Sequence, residues 1–204
     1  MTYKFFTKAL VLLFLVSSCN NIKGKKIEDE IMVNLEYELK TIDPALNSSS
    51  YGFIYINHAF EGLLNKDTNN NIIEGVADKW EISEDNLKYT FHLRDNAKWS
   101  DGKKVTAEDF LYSFRRAVNP ETASPMSYLM GYIKNAKDIT RGLKPVQSLG
   151  VIAVDENTLI IELEAPTLYF LDIVASGGVY VPVREDIIET YGDEWTLNPE
   201  TYIG

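Results

Sequence analysis

The sequence predicts a mixed α and β protein, because segments with a two-residue hydrophobic period alternate irregularly with segments of helical period. The clearest strand pattern is Leu87–Leu93, in which every second residue is apolar. The clearest helix start is Thr106–Asp109, an Asp variant of the capping box that precedes apolar residues at helical spacing. The chain has 204 residues, of which 45% are apolar and 25% charged, a composition typical of one large or two small globular domains.

Residues 1–18 have the pattern of a secretory signal peptide. A lysine-bearing start leads into the apolar run Ala9–Val16, which is far shorter than the roughly 20 residues that a membrane-spanning helix needs. Val16-Ser-Ser-Cys19 then has the order of a bacterial lipobox, and Cys19 is the only cysteine of the chain. Because Cys19 has no disulfide partner, we expect it to be lipidated after cleavage. The alternative is an ordinary signal peptide followed by a chance cysteine.

After Cys19 the sequence is mostly polar up to residue 30, and apolar residues begin to alternate at Ile31. Residues 19–30 are polar and charged without apolar periodicity, which predicts a tether between the lipid and the folded part. From Ile31 to Leu39 apolar residues alternate with mostly polar ones, which predicts a strand with one buried face.

A turn and then a helix are predicted next. Asp43-Pro44 and the polar run Asn47–Ser50 indicate the turn, and Ser49 or Ser50 is a plausible helix N-cap. The residues that follow at helical spacing are Phe53, Ile56, Phe60, Leu63 and Leu64.

Turn residues divide the rest of the chain into further elements. Turns are predicted at 67–71 and at Asp101-Gly102, a hairpin is predicted around Asp155-Glu156-Asn157, and a last helix is predicted over Arg184–Tyr191 with its end at Gly192. The helix that begins at Thr106 carries Phe110, Phe114 and Val118 on one face and is expected to end near Asn119-Pro120.

Several function classes are disfavoured by the composition and by the lack of motifs. A formal net charge of −10 without clustered Lys and Arg argues against nucleic-acid binding. His58 and His92 fall on different elements without a ligand-spaced partner, so no metal site and no cofactor are expected. No nucleophile elbow or phosphate-binding glycine motif occurs. We therefore expect no enzyme activity. Aromatic side chains such as Trp80 and Trp99 can line a ligand-binding cleft, but core packing uses them more often, and we assign both to the core.

Three motifs carry a family resemblance: Ala77-Asp-Lys-Trp80, Tyr89-Thr-Phe-His-Leu-Arg94 and Lys98-Trp-Ser-Asp-Gly102. They resemble the signature of the bacterial extracellular solute-binding proteins of family 5, which include the oligopeptide- and dipeptide-binding proteins of ABC importers. Short flanking motifs agree in order and spacing, so that the resemblance covers residues 31–204. These motifs are Ile42-Asp43-Pro44, Phe60–Leu64, Val105–Ala107, Asp109-Phe110, Leu149–Val151, Ala165-Pro166 and Tyr169-Phe170.

The resemblance implies a periplasmic-binding-protein-like fold of the large peptide-binding type, incomplete in this chain. Residues 31–61 would form the first part of domain I, residues 62–182 an inserted small domain II, and residues 183–204 the start of the return to domain I. The rest of domain I and a third domain would be missing, through a partial gene record or through a genuinely short reading frame.

The resemblance also implies a ligand and a binding mode. The run Asn119–Pro125 is similar to the oligopeptide branch, whose members hold extended peptides between two lobes mainly through main-chain hydrogen bonds. The residues that this implies as ligand contacts are Asn47, Ser48, Ser49, Ser50, Met126 and Ser176. Met126 stands where relatives tend to place an aromatic residue, so the hydrogen bond of a tyrosine hydroxyl would be lost.

The implied protein is an exported monomer, lipid-anchored through Cys19 to the cell envelope. The anchor would lie on the periplasmic or outer face of the cytoplasmic membrane, or in an outer membrane. Its partners would be oligopeptides, the permease and ATPase subunits of an ABC importer, and the lipid bilayer. We expect the 204-residue chain by itself to bind peptides weakly or not at all. The alternatives are a surface lipoprotein with an adhesin or structural role, and a family member for a nickel chelate, haem or an oligosaccharide.

Overall fold

A computed structural model describes residues 39–204 of the chain. The predicted signal peptide, Cys19, the tether and nearly all of the strand predicted from Ile31 lie outside the described residues. Between residues 39 and 204 no helix combines the length and the apolar character that crossing a membrane would require.

The described part is a mixed α and β structure, as predicted. Its α-helices are α1 (Ser50–Ala59), α2 (Ala107–Val118), α3 (Ala136–Thr140), α4 (Phe170–Val174) and α5 (Glu185–Tyr191). Its strands are β1 (Leu64–Lys66), β2 (Ile72–Glu74), β3 (Ala77–Ile82), β4 (Lys88–Leu93), β5 (Val151–Asp155) and β6 (Thr158–Glu162). Short 3₁₀ helices lie at Pro120–Thr122, Ser127–Tyr132, Val146–Ser148, Gly178–Tyr180 and Gly192–Thr196.

The predicted N-cap of α1 is confirmed, whereas its predicted end is too late. The Ser49 hydroxyl accepts a hydrogen bond from the Gly52 N–H at 3.0 Å. The helix ends at Ala59 because the backbone of Phe60 is extended. Leu63 is buried after the helix, and its carbonyl accepts a hydrogen bond from the Ala77 N–H at 2.9 Å. Apolar residues continue at helical spacing beyond Ala59 because Phe60, Leu63 and Leu64 are also buried, although they are not helical.

The strands form a β1–β2 hairpin and a four-stranded antiparallel sheet of order β3-β4-β6-β5. In the hairpin turn, the Asp67 carboxylate accepts from the Asn69 and Asn71 N–H groups, each at 2.8 Å. The alternation predicted for β4 is confirmed, because its apolar residues are buried and the residues between them are not. The predicted hairpin around residues 155–157 joins β5 to β6.

Helix α2 packs against β5 and β6 and contributes buried side chains to the core. Its N-terminus is held by Asp109, whose carboxylate accepts from the Thr106 N–H at 2.8 Å and from the Thr106 hydroxyl at 3.0 Å. Its predicted apolar face is confirmed, since Phe110, Phe114 and Val118 have no exposed surface. The end at Asn119-Pro120 is also confirmed.

The predicted last helix corresponds to α5, which ends at Gly192 with a positive φ of 53°. Trp99 is buried in the hydrophobic core, and the half-buried Trp80 packs against it. The assignment of both tryptophans to core packing is therefore confirmed.

Candidate functional site

The turn that precedes α1 is held in shape by its own side chains. The Asn47 side chain is buried, accepts from the Ser49 N–H at 3.2 Å and donates to the Ser49 carbonyl at 3.1 Å. Gly52 leaves space for the Asn47 side chain, because a Cβ at position 52 would lie 2.0 Å from Asn47 Oδ1. Since the Ser49 hydroxyl caps the helix, the polar atoms of both side chains are used within the turn.

The main chain at Ser48 is not used within this turn. Ser48 is exposed, and its N–H and carbonyl have no hydrogen-bond partner within residues 39–204. Ser50 is exposed as well. The turn thus presents a backbone donor and a backbone acceptor on a rigid support, which is what recognition of a peptide main chain requires.

Met126 and Ser176 lie on two other segments. Met126 is half-buried, packs against the hydrophobic core and precedes the 3₁₀ helix Ser127–Tyr132. Ser176 is exposed just after α4, and its hydroxyl donates to the Ile173 carbonyl at 2.6 Å. No hydrogen bond within the described chain joins either residue to the turn at 47–50.

Gly178 connects the segment of Ser176 with α1. Its N–H donates to Asn57 Oδ1 at 3.2 Å, and a Cβ there would lie 2.7 Å from Phe53 Cε1. Its φ is +65°, a region that favours glycine. The pair Gly177-Gly178 was the sequence signal that could have pointed to this close approach.

Tyr180 connects the same segment with that of Met126. Its hydroxyl donates to the Leu129 carbonyl at 2.9 Å, and its ring packs edge-on against Phe114 and Phe170. Burial raises the pKa of Tyr180 well above its ordinary value, so that the hydroxyl remains a neutral donor. The three segments that carry the predicted contacts are therefore joined through Gly178 and Tyr180, although the predicted residues do not touch one another.

A buried polar cluster, here called the Asp43 cluster, consists of Asp43, Arg116 and Trp195. The two Arg116 terminal nitrogens donate to the Asp43 carboxylate at 2.8 and 2.7 Å, and Trp195 Nε1 donates to it at 2.9 Å. The Ala45 N–H adds a fourth bond at 2.9 Å. Asp43 is 2% exposed, so its charge is compensated by these donors rather than by water.

The Asp43 cluster favours the charged form of Arg116. Burial acts against the charge of Arg116, but hydrogen bonding and attraction to Asp43 outweigh it, so that the pKa of Arg116 is raised. Burial, and after it the charge of Asp43, raises the pKa of Tyr202, whose hydroxyl donates to the Ile42 carbonyl at 3.1 Å. The cluster thus fixes the start of the described chain to α2 and to the C-terminal segment.

Aromatic rings surround the Asp43 cluster. Phe60 packs edge-on against Trp99, Trp195 and Tyr202, at centroid distances of 6.5, 6.3 and 5.3 Å. Sequence reasoning missed the Asp43 cluster, because no periodicity or motif connects Asp43 with a residue 73 positions away.

The two histidines lie apart. His58 Nδ1 is 2.7 Å from the Ile54 carbonyl on α1, whereas His92 on β4 is 3.6 Å from the Glu81 carboxylate. Among residues 39–204 no group of three or more His, Cys, Asp or Glu side chains could hold a metal ion.

Comparison with known proteins identifies the family. The profile of the bacterial extracellular solute-binding proteins, family 5, matches residues 71–204. The chain belongs to this family. Its members are binding proteins of transport systems, not enzymes.

Relatives of known sequence and structure support the same assignment. The chain is 48% identical to the periplasmic oligopeptide-binding protein OppA of Salmonella typhimurium over 67% of its own length and 25% of that protein. It matches the crystal structure of the substrate-binding domain of an oligopeptide ABC transporter from Bacillus anthracis with a TM-score of 0.79 and 39% identity, over 81% of this chain and 32% of the other. For the murein tripeptide binding protein MppA of Escherichia coli the TM-score is 0.79 and the identity 41%, over 83% and 33% of the two chains.

The resemblance and the predicted fold class are therefore confirmed. The chain spans between a quarter and a third of the length of the relatives that it matches. The fold described above corresponds to one part of the architecture of these relatives.

Proposed function

We propose that this chain is part of the substrate-binding lipoprotein of an ABC peptide importer, and that it captures extended oligopeptides mainly by backbone hydrogen bonds. The observation that carries the proposal is the main chain of the exposed residue Ser48, which is unpaired within residues 39–204 and lies in a turn held by Asn47 and Ser49. Every extended peptide offers the complementary groups, so binding them selects for a peptide without selecting its sequence. The identity of 48% to an oligopeptide-binding protein supports the same ligand class.

Met126 and Ser176 are proposed as secondary contacts. The Met126 thioether is flexible and could adapt to different peptide side chains while its stem remains on the core. The Ser176 hydroxyl donates its hydrogen to Ile173, but its oxygen still has a lone pair for a ligand N–H. Both contacts are compatible with tolerance of varied side chains.

The same proposal includes a location, partners and a domain arrangement. The chain would be exported and anchored through Cys19, act as a monomer, and deliver its ligand to permease and ATPase subunits. Residues 31–61 and 183–204 would belong to one domain, and residues 62–182 would form the inserted second domain. A further lobe, present in a longer chain, would complete the cleft.

Calorimetric titration with short peptides tests the ligand class. Residues 20–204 should bind at least about a hundredfold more weakly than the Salmonella relative, because an open site neither desolvates the peptide nor offsets its ordering entropy. Equal affinities would rule out the need for a further lobe. A nickel chelate, haem or an oligosaccharide bound in place of any peptide would rule out the peptide assignment.

Two substitutions at Ser48 test the binding mode. Ser48→Pro removes the main-chain donor and should abolish the peptide heat signal, whereas Ser48→Ala removes only the hydroxyl and should leave it unchanged. Circular dichroism of both variants checks that α1 remains folded. Loss of binding in Ser48→Ala alone would assign the contact to the side chain.

Metabolic labelling tests the anchor. In a bacterial host the protein should incorporate labelled fatty acid and partition into detergent, and Cys19→Ser should do neither. Label retained in Cys19→Ser would exclude lipidation at this residue.

A further inference from the structure

A small surface pocket of the described chain is lined by two cations and several hydroxyl groups, without a carboxylate. Its volume is about 170 Å³, and its walls are the 3₁₀ helix Ser127–Tyr132 and helix α3 with its C-cap. The lining residues are Ser127, Tyr128, Gly131, Lys137, Thr140 and Arg141. Such a positive pocket contrasts with the formal net charge of −10 of the whole chain.

The two cations of the pocket are not in direct ion pairs within residues 39–204, although the Asp138 carboxylate, which pairs with Lys144, also attracts Arg141. Lys137 and Arg141 are four positions apart, so their like charges share one face of α3 and repel each other. Neither side chain forms an ion pair or hydrogen bond within residues 39–204, whereas two neighbouring lysines do. Lys134 pairs with Glu162 at 2.9 Å, and Lys144 pairs with Asp138 at 2.9 Å. The carboxylates of Glu162 and Asp138 thus each form an ion pair with a lysine outside the pocket.

Gly131 positions the Lys137 side chain. A Cβ at Gly131 would lie 3.1 Å from Lys137 Cε and 3.5 Å from Lys137 Cγ. The aliphatic stem of Lys137 therefore lies along the Gly131 backbone, which restricts its rotamers before any ligand arrives. An ammonium group held in this way loses less entropy when it binds.

Hydroxyl groups complete the set of donors. Those of Ser127 and Tyr128 have no hydrogen-bond partner within the described residues, and Tyr128 is 66% exposed. The Thr140 hydroxyl differs, since it donates to the Ala136 carbonyl at 2.9 Å. One guanidinium, one ammonium and two hydroxyl donors match a tetrahedral oxyanion with several acceptor oxygens better than they match a planar carboxylate.

We propose that this pocket is an anion site that binds a phosphate group. Two positive charges balance the charge of a phosphate dianion, and the volume accommodates one phosphate with its first bonded atoms. The phosphate can come from a free phosphate ester or from the headgroup of a phospholipid. The site is independent of peptide capture, because it shares none of the residues proposed for that function.

Titration of the whole chain, followed by backbone amide NMR, tests the site. The probes are inorganic phosphate and glycerophosphoglycerol, a soluble phospholipid headgroup, with sodium chloride keeping the ionic strength constant. Saturable shifts confined to residues 127–141 are expected. Tighter binding of inorganic phosphate would indicate a free phosphate or its ester, and tighter binding of glycerophosphoglycerol would indicate a membrane lipid; both outcomes support the proposal.

Three exposed substitutions distinguish a built site from diffuse attraction. Lys137→Gln and Arg141→Gln should each weaken binding at least about tenfold, because each removes a charged hydrogen bond. Lys98→Gln removes a charge of the same sign from an exposed lysine that lies outside the pocket and forms no ion pair within residues 39–204. It should weaken binding less than about twofold. Equal weakening by all three variants, or shifts that do not saturate, would overturn the proposal.

Discussion

Two regions of the described chain are stabilised in different ways. The central region, residues 62–182, is built on the four-stranded sheet and α2, with fully buried apolar side chains such as Phe91 and Phe110. The flanking segments, residues 39–61 and 183–204, are joined to it by the Asp43 cluster and by the rings around Phe60. Both regions bury apolar area, and the flanking segments contain in addition a buried charge that is compensated by hydrogen-bond donors.

The two regions also differ in the sequence separation between the residues that contact each other. In the central region most strand partners are close in sequence, as in the β3–β4 and β5–β6 pairs. In the flanking segments the Asp43 carboxylate binds partners 73 and 152 positions away. The central region can therefore keep local structure when the flanking segments are released, and this expectation is open to experiment.

The largest effect is expected from a cavity in the central region. Phe91→Ala should lower the free energy of unfolding by about 3–5 kcal/mol, because a fully buried ring is removed from the sheet core. Urea unfolding followed by circular dichroism measures this. The neighbouring Thr90→Ala, on the other face of β4, should cost less than about 1 kcal/mol. Similar losses for both would show that β4 has no distinct core face.

The next effect separates the two regions. Asp43→Ala leaves Arg116 buried without its partner and should cost about 3 kcal/mol or more. Hydrogen exchange should show lost protection in α1 and α5 and retained protection in β4 and β6. The double variant Asp43→Ala/Arg116→Met should regain part of the stability, since the unpaired charge is gone. Equal loss of protection in β4 would mean that both regions unfold as one unit.

A smaller effect is expected where α1 meets Gly178. Gly178→Ala should destabilise the protein by about 1–2 kcal/mol because alanine is disfavoured at the positive φ of this position. The close contact of the added Cβ with Phe53 should increase this loss. Gly142→Ala is the matched control, because its φ of +73° is similar and nothing lies within 4 Å of the added Cβ. The difference between the two melting temperatures isolates the contact with α1. If the two variants melt alike, the contact contributes nothing.

The smallest effect is a pH dependence in the second flanking segment. Hydrogen bonds from Arg184 hold the pKa of Asp186 well below its ordinary value. A carboxyl group whose pKa is lower in the folded state stabilises at neutral pH, and this contribution is lost as the pH falls below about 4. The stability difference between wild type and Asp186→Asn should therefore be present at pH 7 and shrink on acidification. A difference that grows with acidity would contradict this assignment.

The elements that sequence could predict are those whose cause is local. The cap at Ser49, the box at Thr106–Asp109, the alternation in β4 and the glycine end at Gly192 each depend on residues within a few positions. The end of α1 could not be predicted in this way. Leu63 continues the helical spacing, but its carbonyl accepts a hydrogen bond from the N–H of Ala77 on β3.

The candidate site was predictable only in part, for the same reason. The residues at 47–50 were reached through resemblance and through their turn chemistry, and the structure adds that the side chains of Asn47 and Ser49 serve the turn itself. The connections through Gly178 and Tyr180 depend on packing between segments distant in sequence. Among the residues involved, only the pair Gly177-Gly178 is a sequence feature that indicates these connections.

The long reach of the Asp43 cluster also has a consequence in time. Translation proceeds at about 5–20 residues per second. Arg116 lies 73 positions after Asp43, and Trp195 lies 152 positions after it. At that rate the indole partner is synthesised roughly 8–30 seconds after the carboxylate. During part of that interval the Asp43 carboxylate can already pair with Arg116, but its bond to Trp195 cannot yet form.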